Sequence, residues 1–151
     1  MKYKVIKGDL LHLEETVDAI VNSANCFMSK GGGICGKIHE AAGYEFTKYC
    51  LQQGNLSVGE CKTTPGFNLE SPYVIHVLSP TFGRHPDGLQ MLVQTYQNVL
   101  KEAERIGLKK IAFPLLGGGH HGYPPDYALA CAEQALEEYE SKGLEAVLVL
   151  F

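Results

Sequence analysis

No apolar run in the 151-residue chain approaches the roughly 20 residues needed to span a bilayer, so no membrane segment is expected. The opening MKYKVIKGDL lacks the apolar core and small-residue cleavage site of a secretory signal, and the sequence reads as cytoplasmic. Basic residues are scattered, and 13 Lys and Arg against 17 Asp and Glu leave a net charge of −4. That gives no positive footprint for sequence-independent nucleic-acid binding. An anionic ligand then has to be held by local backbone donors. The five cysteines, Cys26, Cys35, Cys50, Cys61 and Cys131, include no CxxC pair. Their odd number and spacing argue against a disulfide framework and a zinc ribbon. Cys50, Cys61 and Cys131 read as small buried hydrophobes, whereas Cys26 and Cys35 sit inside a glycine-rich elbow and stay open. There is no linker and no low-complexity segment.

Hydrophobic residues make up 45% of the chain and charged residues 20%, the balance of an ordinary globule. Residues 1–151 fit a single domain, expected to be a monomer. Tyr3 to Lys7 alternates apolar and polar, as a strand does. Val17 to Val21 is an apolar strand run that leads through a polar, Asn-rich elbow into glycines and a short helix. Glu45 to Gln53 reads as a helix closed by Gly54. Val58 to Thr63 reads as a strand ended by the Pro65-Gly66 turn signal. YVIHVL (73–78) is a continuous apolar run suited to a strand covered on both faces, and Ser79-Pro80 stops it.

The strongest helical periodicity follows, with Leu89, Leu92, Val93, Tyr96, Val99, Leu100, Ala103 and Ile106 on one face. Asp87 is its expected N-cap and Gly107 its C′ residue. Lys109 to Leu116 is the next buried strand. Pro125 starts a last helix whose stripe, Ala128, Cys131, Ala132, Ala135 and Tyr139, runs toward Gly143. Ala146 to Phe151 is the final strand. Strands alternating with helices predict a three-layer α/β domain.

Two strand-to-helix turns carry glycines, Gly31-Gly32-Gly33-Ile34-Cys35-Gly36 and Gly117-Gly118-Gly119-His120-His121-Gly122, and both satisfy GxGxxG. A helix N-terminus offers unpaired N–H groups, and glycines let phosphate oxygens approach them. A dinucleotide-binding Rossmann turn follows its strand directly and has an acid about 20 residues on. Here nine residues, Asn22 to Lys30, intervene, and the window from Cys50 to Gln53 offers no acid. Neither turn continues into the Gly-Lys-Ser/Thr of a P-loop. Two such turns at strand ends point to a site for a nucleotide diphosphate.

VNSAN, GGG-x-x-G with IHEAAG behind it, YVIHVLSP, and IAFPLL followed by a glycine loop and GYP together resemble the macrodomain family, closest to its MacroD type. The resemblance runs from Gly8 to Phe151. It implies a three-layer α/β/α fold with a six-stranded mixed sheet and ADP-ribose at the carboxyl edge of its strands. By the same resemblance Asp9 accepts from the adenine amino group, the Leu10 N–H serves a ring nitrogen, and Phe151 packs on the base. Gly31, Gly32, Gly33 and Ile34 line one side of the diphosphate. Gly117, Gly118, Gly119, His120, His121 and Gly122 line the other. Asn25 serves the distal ribose, while Asn22 braces the elbow.

The sequence departs from the family at two places. Cys35 stands where active MacroD-type enzymes commonly have an Asp that positions the attacking water, and a thiol is a poor substitute acceptor. A neutral packed thiol is one reading; a thiolate at a helix start, acting as a base, is the other. His121 replaces an aromatic of the second loop and reads equally as a distal-ribose or acid–base residue or as a surface histidine. His120 is expected to face solvent, His39 to pack, and His76 to be a satisfied core histidine. The expected catalytic residues are Asn25, Cys35 and His121. No metal and no cofactor is expected. The expected partners are ADP-ribose, ADP-ribosylated proteins or O-acetyl-ADP-ribose, with hydrolysis of ADP-ribosyl esters on Asp or Glu as the reaction. A non-catalytic reader is the alternative, and a phosphatase for ADP-ribose-1″-phosphate a more remote one.

Overall fold

Four of the six strands are buried along nearly their whole length, and this dictates a sheet covered on both faces. The computed structural model describes residues 1–84 and 88–151. In chain order it contains β1 (Lys2–Lys7), β2 (Ala19–Ser23), α1 (Gly33–Ala42), α2 (Tyr44–Leu51), β3 (Cys61–Pro65) and β4 (Tyr73–Val77). Then follow α3 (Gly88–Arg105), β5 (Lys110–Pro114), α4 (Pro125–Glu138) and β6 (Glu145–Leu150). The sheet order is β1-β6-β5-β2-β4-β3. All neighbours are parallel except β3 and β4, so the sheet is mixed. The helix N-cap expected at Asp87 lies outside the described residues.

Alternation along the strands divides the core into two layers, because successive side chains leave a strand on opposite faces. Ala19 and Val21, Ile75 and Val77, Ile111 and Phe113, and Ala146 and Leu148 pack under α3 and α4. Ile20, Val74, Ala112, Val147 and Val149 pack under α1 and α2 with Ile38, Ala42, Phe46 and Cys50. The fold is therefore α/β with helices on both faces of a six-stranded mixed sheet. Among the described residues no helix is long and apolar enough to cross a membrane.

Element ends differ from the sequence reading at many places, as at β2 (Ala19–Ser23 against 17–21), α2 (Tyr44–Leu51 against 45–53) and β5 (Lys110–Pro114 against 109–116). Three differences have a plain physical reason. β3 runs through Pro65, which pairs with Tyr73, rather than stopping at Thr63. β3 is the sheet edge, where a missing N–H breaks no ladder bond. Val58 makes only an isolated bridge to Leu78. The last helix stops at Glu138, because Tyr139 is extended (φ −76°, ψ 121°) and its hydroxyl donates to Glu104. β6 ends at Leu150, leaving the fully exposed Phe151 beyond the strand.

Candidate ligand cleft

Parallel strands end together, so the segments after β1, β2, β5 and β6 meet at one edge of the sheet, where open α/β sheets place their ligands. A cleft of about 680 Å³ opens there. Its walls include Asp9 and Leu10 after β1, Gly33 and Ile34 at the start of α1, Gly118 and Gly119 after β5, and Phe151 after β6. All seven were expected at the site. The remaining expected residues, Asn25, Gly31, Gly32, Cys35, Gly117, His120, His121 and Gly122, do not line the cleft; Cys35 lies in α1 and the others in the two loops.

After β1, Gly8 continues the ladder by donating its N–H to the Leu150 carbonyl at 2.8 Å. The chain then turns on Asp9, whose carboxylate meets His12 Nδ1 at 2.8 Å and accepts from the Leu11 N–H at 2.9 Å. These two contacts, His12 first, hold its carboxyl below the usual carboxylate range.

The elbow after β2 is wound around Asn25. Its Oδ1 accepts from the N–H of Phe27 at 3.0 Å and from the N–H and hydroxyl of Ser29, both at 3.2 Å. Its Nδ2 donates to the Ser29 carbonyl at 2.9 Å. This is the local backbone chemistry Asn favours, and it leaves one Nδ2 hydrogen over. Met28 takes a left-handed conformation (φ 56°) and drives its side chain into the core.

Asn22, on the face of β2 beneath α1, is fully buried. Its Nδ2 donates to His76 Nδ1 at 3.1 Å and to Cys35 Sγ at 3.6 Å. His76 therefore carries its proton on Nε2 and donates to Thr64 Oγ1 at 2.9 Å. The Cys35 thiol is 5% exposed and donates to the Ser29 carbonyl at 3.5 Å, so it ties α1 to the elbow. His39 packs edge-on against Phe46 and meets Thr47 Oγ1 at 2.8 Å.

α1 begins on Gly32 without a side-chain cap and with no acid in its first turn, among the described residues. Gly33 and Ile34 of that turn line the cleft, which puts the positive end of the helix dipole beside it. Opposite, Gly117 and Gly122 both take positive φ (84° and 77°), which bends the second loop into a tight curl closed by the Tyr123 N–H on the Gly117 carbonyl at 2.9 Å. α4 also starts at the cleft, where Pro125 and Asp126 join the wall.

The two bends face each other. A β-carbon placed on Gly32 would come within 3.1 Å of His120 Nε2, so the exposed His120 ring lies against the first loop. His121 is half-buried, its Nδ1 3.5 Å from Thr81 Oγ1, and desolvation, with His120 beside it, lowers its pKa. Among the described residues no group of three or more His, Cys, Asp or Glu is arranged to hold a metal ion. Sequence reasoning missed Lys7, Lys37, Pro114, Leu115 and Leu129 in the cleft wall. For Lys37 a signal existed, since it stands one helical turn after Ile34.

The sequence profile of the family described as Macro domain matches residues 21–132. A macro domain-containing protein of Chlorobaculum tepidum is 39% identical over 147 residues, covering 95% of this chain and 84% of its own. The ADP-ribose glycohydrolase MACROD2 of Xenopus laevis is 36% identical over 148 residues, 97% of this chain and 35% of its own. A mutant macrodomain of Oceanobacillus iheyensis, solved with ADPR, matches with a TM-score of 0.92 at 33% identity. That match covers 99% of this chain and 84% of the other.

Proposed function

Because the chain belongs to the macrodomain family, we propose that it binds ADP-ribose in this cleft and hydrolyses ADP-ribosyl esters, either on Asp or Glu side chains of proteins or in O-acetyl-ADP-ribose. The observation that carries the reading is the uncapped start of α1 facing Gly118 and Gly119 across a nucleotide-sized cleft with Phe151 at one end. The diphosphate sits between the two bends. The N–H groups of Gly33 and Ile34 and the loop from Gly117 to Gly122 neutralise it with fixed dipoles that need no reorganisation. Adenine stacks on Phe151, its amino group donates to Asp9, and the Leu10 N–H serves the ring. The distal ribose lies toward Asn25, which spends its remaining Nδ2 hydrogen on a ribose hydroxyl, and toward His120 and His121. His121, whose pKa is lowered by burial with His120 beside it, accepts a proton from the attacking water. Attack at the anomeric carbon breaks its bond to the ester oxygen, and the carboxylate leaves. Attack at the ester carbonyl breaks the acyl–oxygen bond instead; the ribose oxygen leaves and takes a proton, and the water oxygen stays in the carboxylate.

A second reading is favoured by one observation. The buried Cys35 thiol is turned to the Ser29 carbonyl, so it does not stand in for a water-positioning carboxylate, and the domain would then read ADP-ribosylated proteins without turning them over.

Calorimetry with ADP-ribose tests the shared premise; a folded sample that gives no heat removes both readings. Release of ADP-ribose from a glutamate-modified protein separates them. Asn25→Ala is expected to lower turnover at least tenfold with a smaller loss of affinity. Unchanged turnover would remove Asn25 from the distal-ribose site. An inert wild type with an active Cys35→Asp variant would establish the reader.

A further inference from the structure

Backbone N–H groups suffice to hold a diphosphate, yet the cleft wall also carries a lysine on α1 that the proposed grip does not use. Lys37 is exposed and lines the cleft. Its ammonium lies 4.9 Å from the centre of the Phe151 ring, within cation–π range. The side chain therefore reaches from α1 to the residue after β6, over the end of the cleft where Asp9 also stands. Its charge contributes to holding the Asp9 carboxyl below its usual range. Among the described residues no carboxylate lies within ion-pair distance of Lys37. Lys30, just before the same helix, is by contrast engaged by Glu40 at 3.3 Å.

The ring face of Phe151 cannot hold a purine and an ammonium at once. A base stacking there displaces Lys37, and the geometry of α1 determines where the ammonium goes. Side chains of a helix tilt toward its N-terminus and cover the preceding turn. Lys37 stands four residues after Gly33, about 6 Å along the axis. Its displaced ammonium is within reach of the first turn of α1, whose Gly33 and Ile34 line the cleft.

We propose that Lys37 is a nucleotide-binding residue that exchanges its contact with the Phe151 ring for the diphosphate when adenine arrives. The exchange couples base stacking to phosphate neutralisation through one side chain, and it selects an adenine nucleotide over an adenine nucleoside. This rests on the reading of the cleft as an ADP-ribose site.

The test compares wild type, Lys37→Met, which keeps the stem without the charge, and Lys37→Arg, which keeps the charge. ADP-ribose and adenosine are the probes, each titrated at low and high salt. The Met variant is expected to bind ADP-ribose about five- to tenfold more weakly at low salt, with a flatter salt dependence. Its affinity for adenosine should be unchanged or higher, and the Arg variant should stay within about twofold of wild type for ADP-ribose. A Met variant that binds ADP-ribose like wild type at both salt concentrations overturns the assignment. So does a parallel loss of both probes, which would make Lys37 a base contact alone. Wild type that fails to bind ADP-ribose overturns the functional reading as well, so the two failures are distinguishable.

Discussion

A β-carbon at position 36 would lie 2.5 Å from the carbonyl oxygen of Gly31. Both atoms belong to backbone, so no side chain can rotate away to relieve the contact. Gly36 is therefore the residue that lets the first turn of α1 rest on the elbow, with Gly33 and Ile34 in the cleft wall. Gly36→Ala is expected to lower stability by about 1–3 kcal/mol in urea unfolding and to weaken ADP-ribose binding about tenfold through loss of preorganisation. Gly8→Ala, where nothing stands within 4 Å, should change stability by no more than about 0.5 kcal/mol. The glycine pattern was legible in the sequence, but the need at each glycine was not. Gly33 answers to a positive φ of 55°, Gly36 to a neighbouring carbonyl and Gly119 to neither. Those needs depend on how closely a distant segment approaches. The two asparagines divide in the same way. Alternation along β2 puts Asn22 on the face of Ile20 and so beneath α1, whereas the winding of the elbow around Asn25 depends on loop hydrogen bonds without periodicity.

A chain of polar contacts runs through four elements, from Thr64 on β3 through His76 on β4 and Asn22 on β2 to Cys35 on α1. It holds only while His76 is neutral, since a protonated ring would turn a second donor toward the Asn22 amide. Burial, with His39 nearby, pulls the His76 pKa down to about 3. In the unfolded chain the same ring takes a proton near 6.5. Between these values the unfolded state binds a proton that the folded state refuses. Stability is thus full above pH 6.5 and falls as the pH drops toward 3, by about 1.4 kcal/mol per unit. Urea unfolding at pH 7 and pH 5 should show His76 contributing about 2 kcal/mol of lost stability. A His76→Gln variant should remove most of that slope while being less stable at pH 7. His39, depressed first by desolvation, adds to the slope in the same direction. At this scale the sequence was a good guide where patterns repeat. The apolar run of β4 is buried from Val74 to Val77, and the stripe of α3 is buried at Leu92, Val93, Tyr96, Val99, Leu100 and Ala103. It was a poorer guide at element ends. Pro65 is admitted to β3 only because that strand lies at the sheet edge, and strand order is invisible to a local reading.

Pairing β1 with β6 brings the two ends of the chain into one register, Lys2 with Glu145 through Lys7 with Leu150, and this non-local step builds the end of the cleft where Asp9 and Phe151 stand. β1 is an edge strand held by β6 alone, while Gly8 and Asp9 after it, Leu150 at the end of β6 and Phe151 beyond it stand in the cleft wall with Ile34 and Lys37. A nucleotide seated between these walls links an edge of the sheet to the start of α1, a connection the unliganded fold makes there through the Lys37–Phe151 contact. Binding restricted to the folded state stabilises it by mass action, about 2.7 kcal/mol at a ligand concentration one hundred times Kd. For a chain of this size that raises Tm by about 5–10 °C. A thermal melt in ADP-ribose should show this shift growing with the logarithm of ligand concentration, and adenosine at equal concentration should give a smaller one. Hydrogen exchange then locates the gain. Added protection is expected in residues 8–12, 31–36 and 117–122, with little change at the β3 edge on the far side of the sheet. Protection spread evenly over all six strands would mean that the ligand raises global stability from a site other than this cleft, and protection confined to 117–122 would detach β1 and α1 from the binding surface.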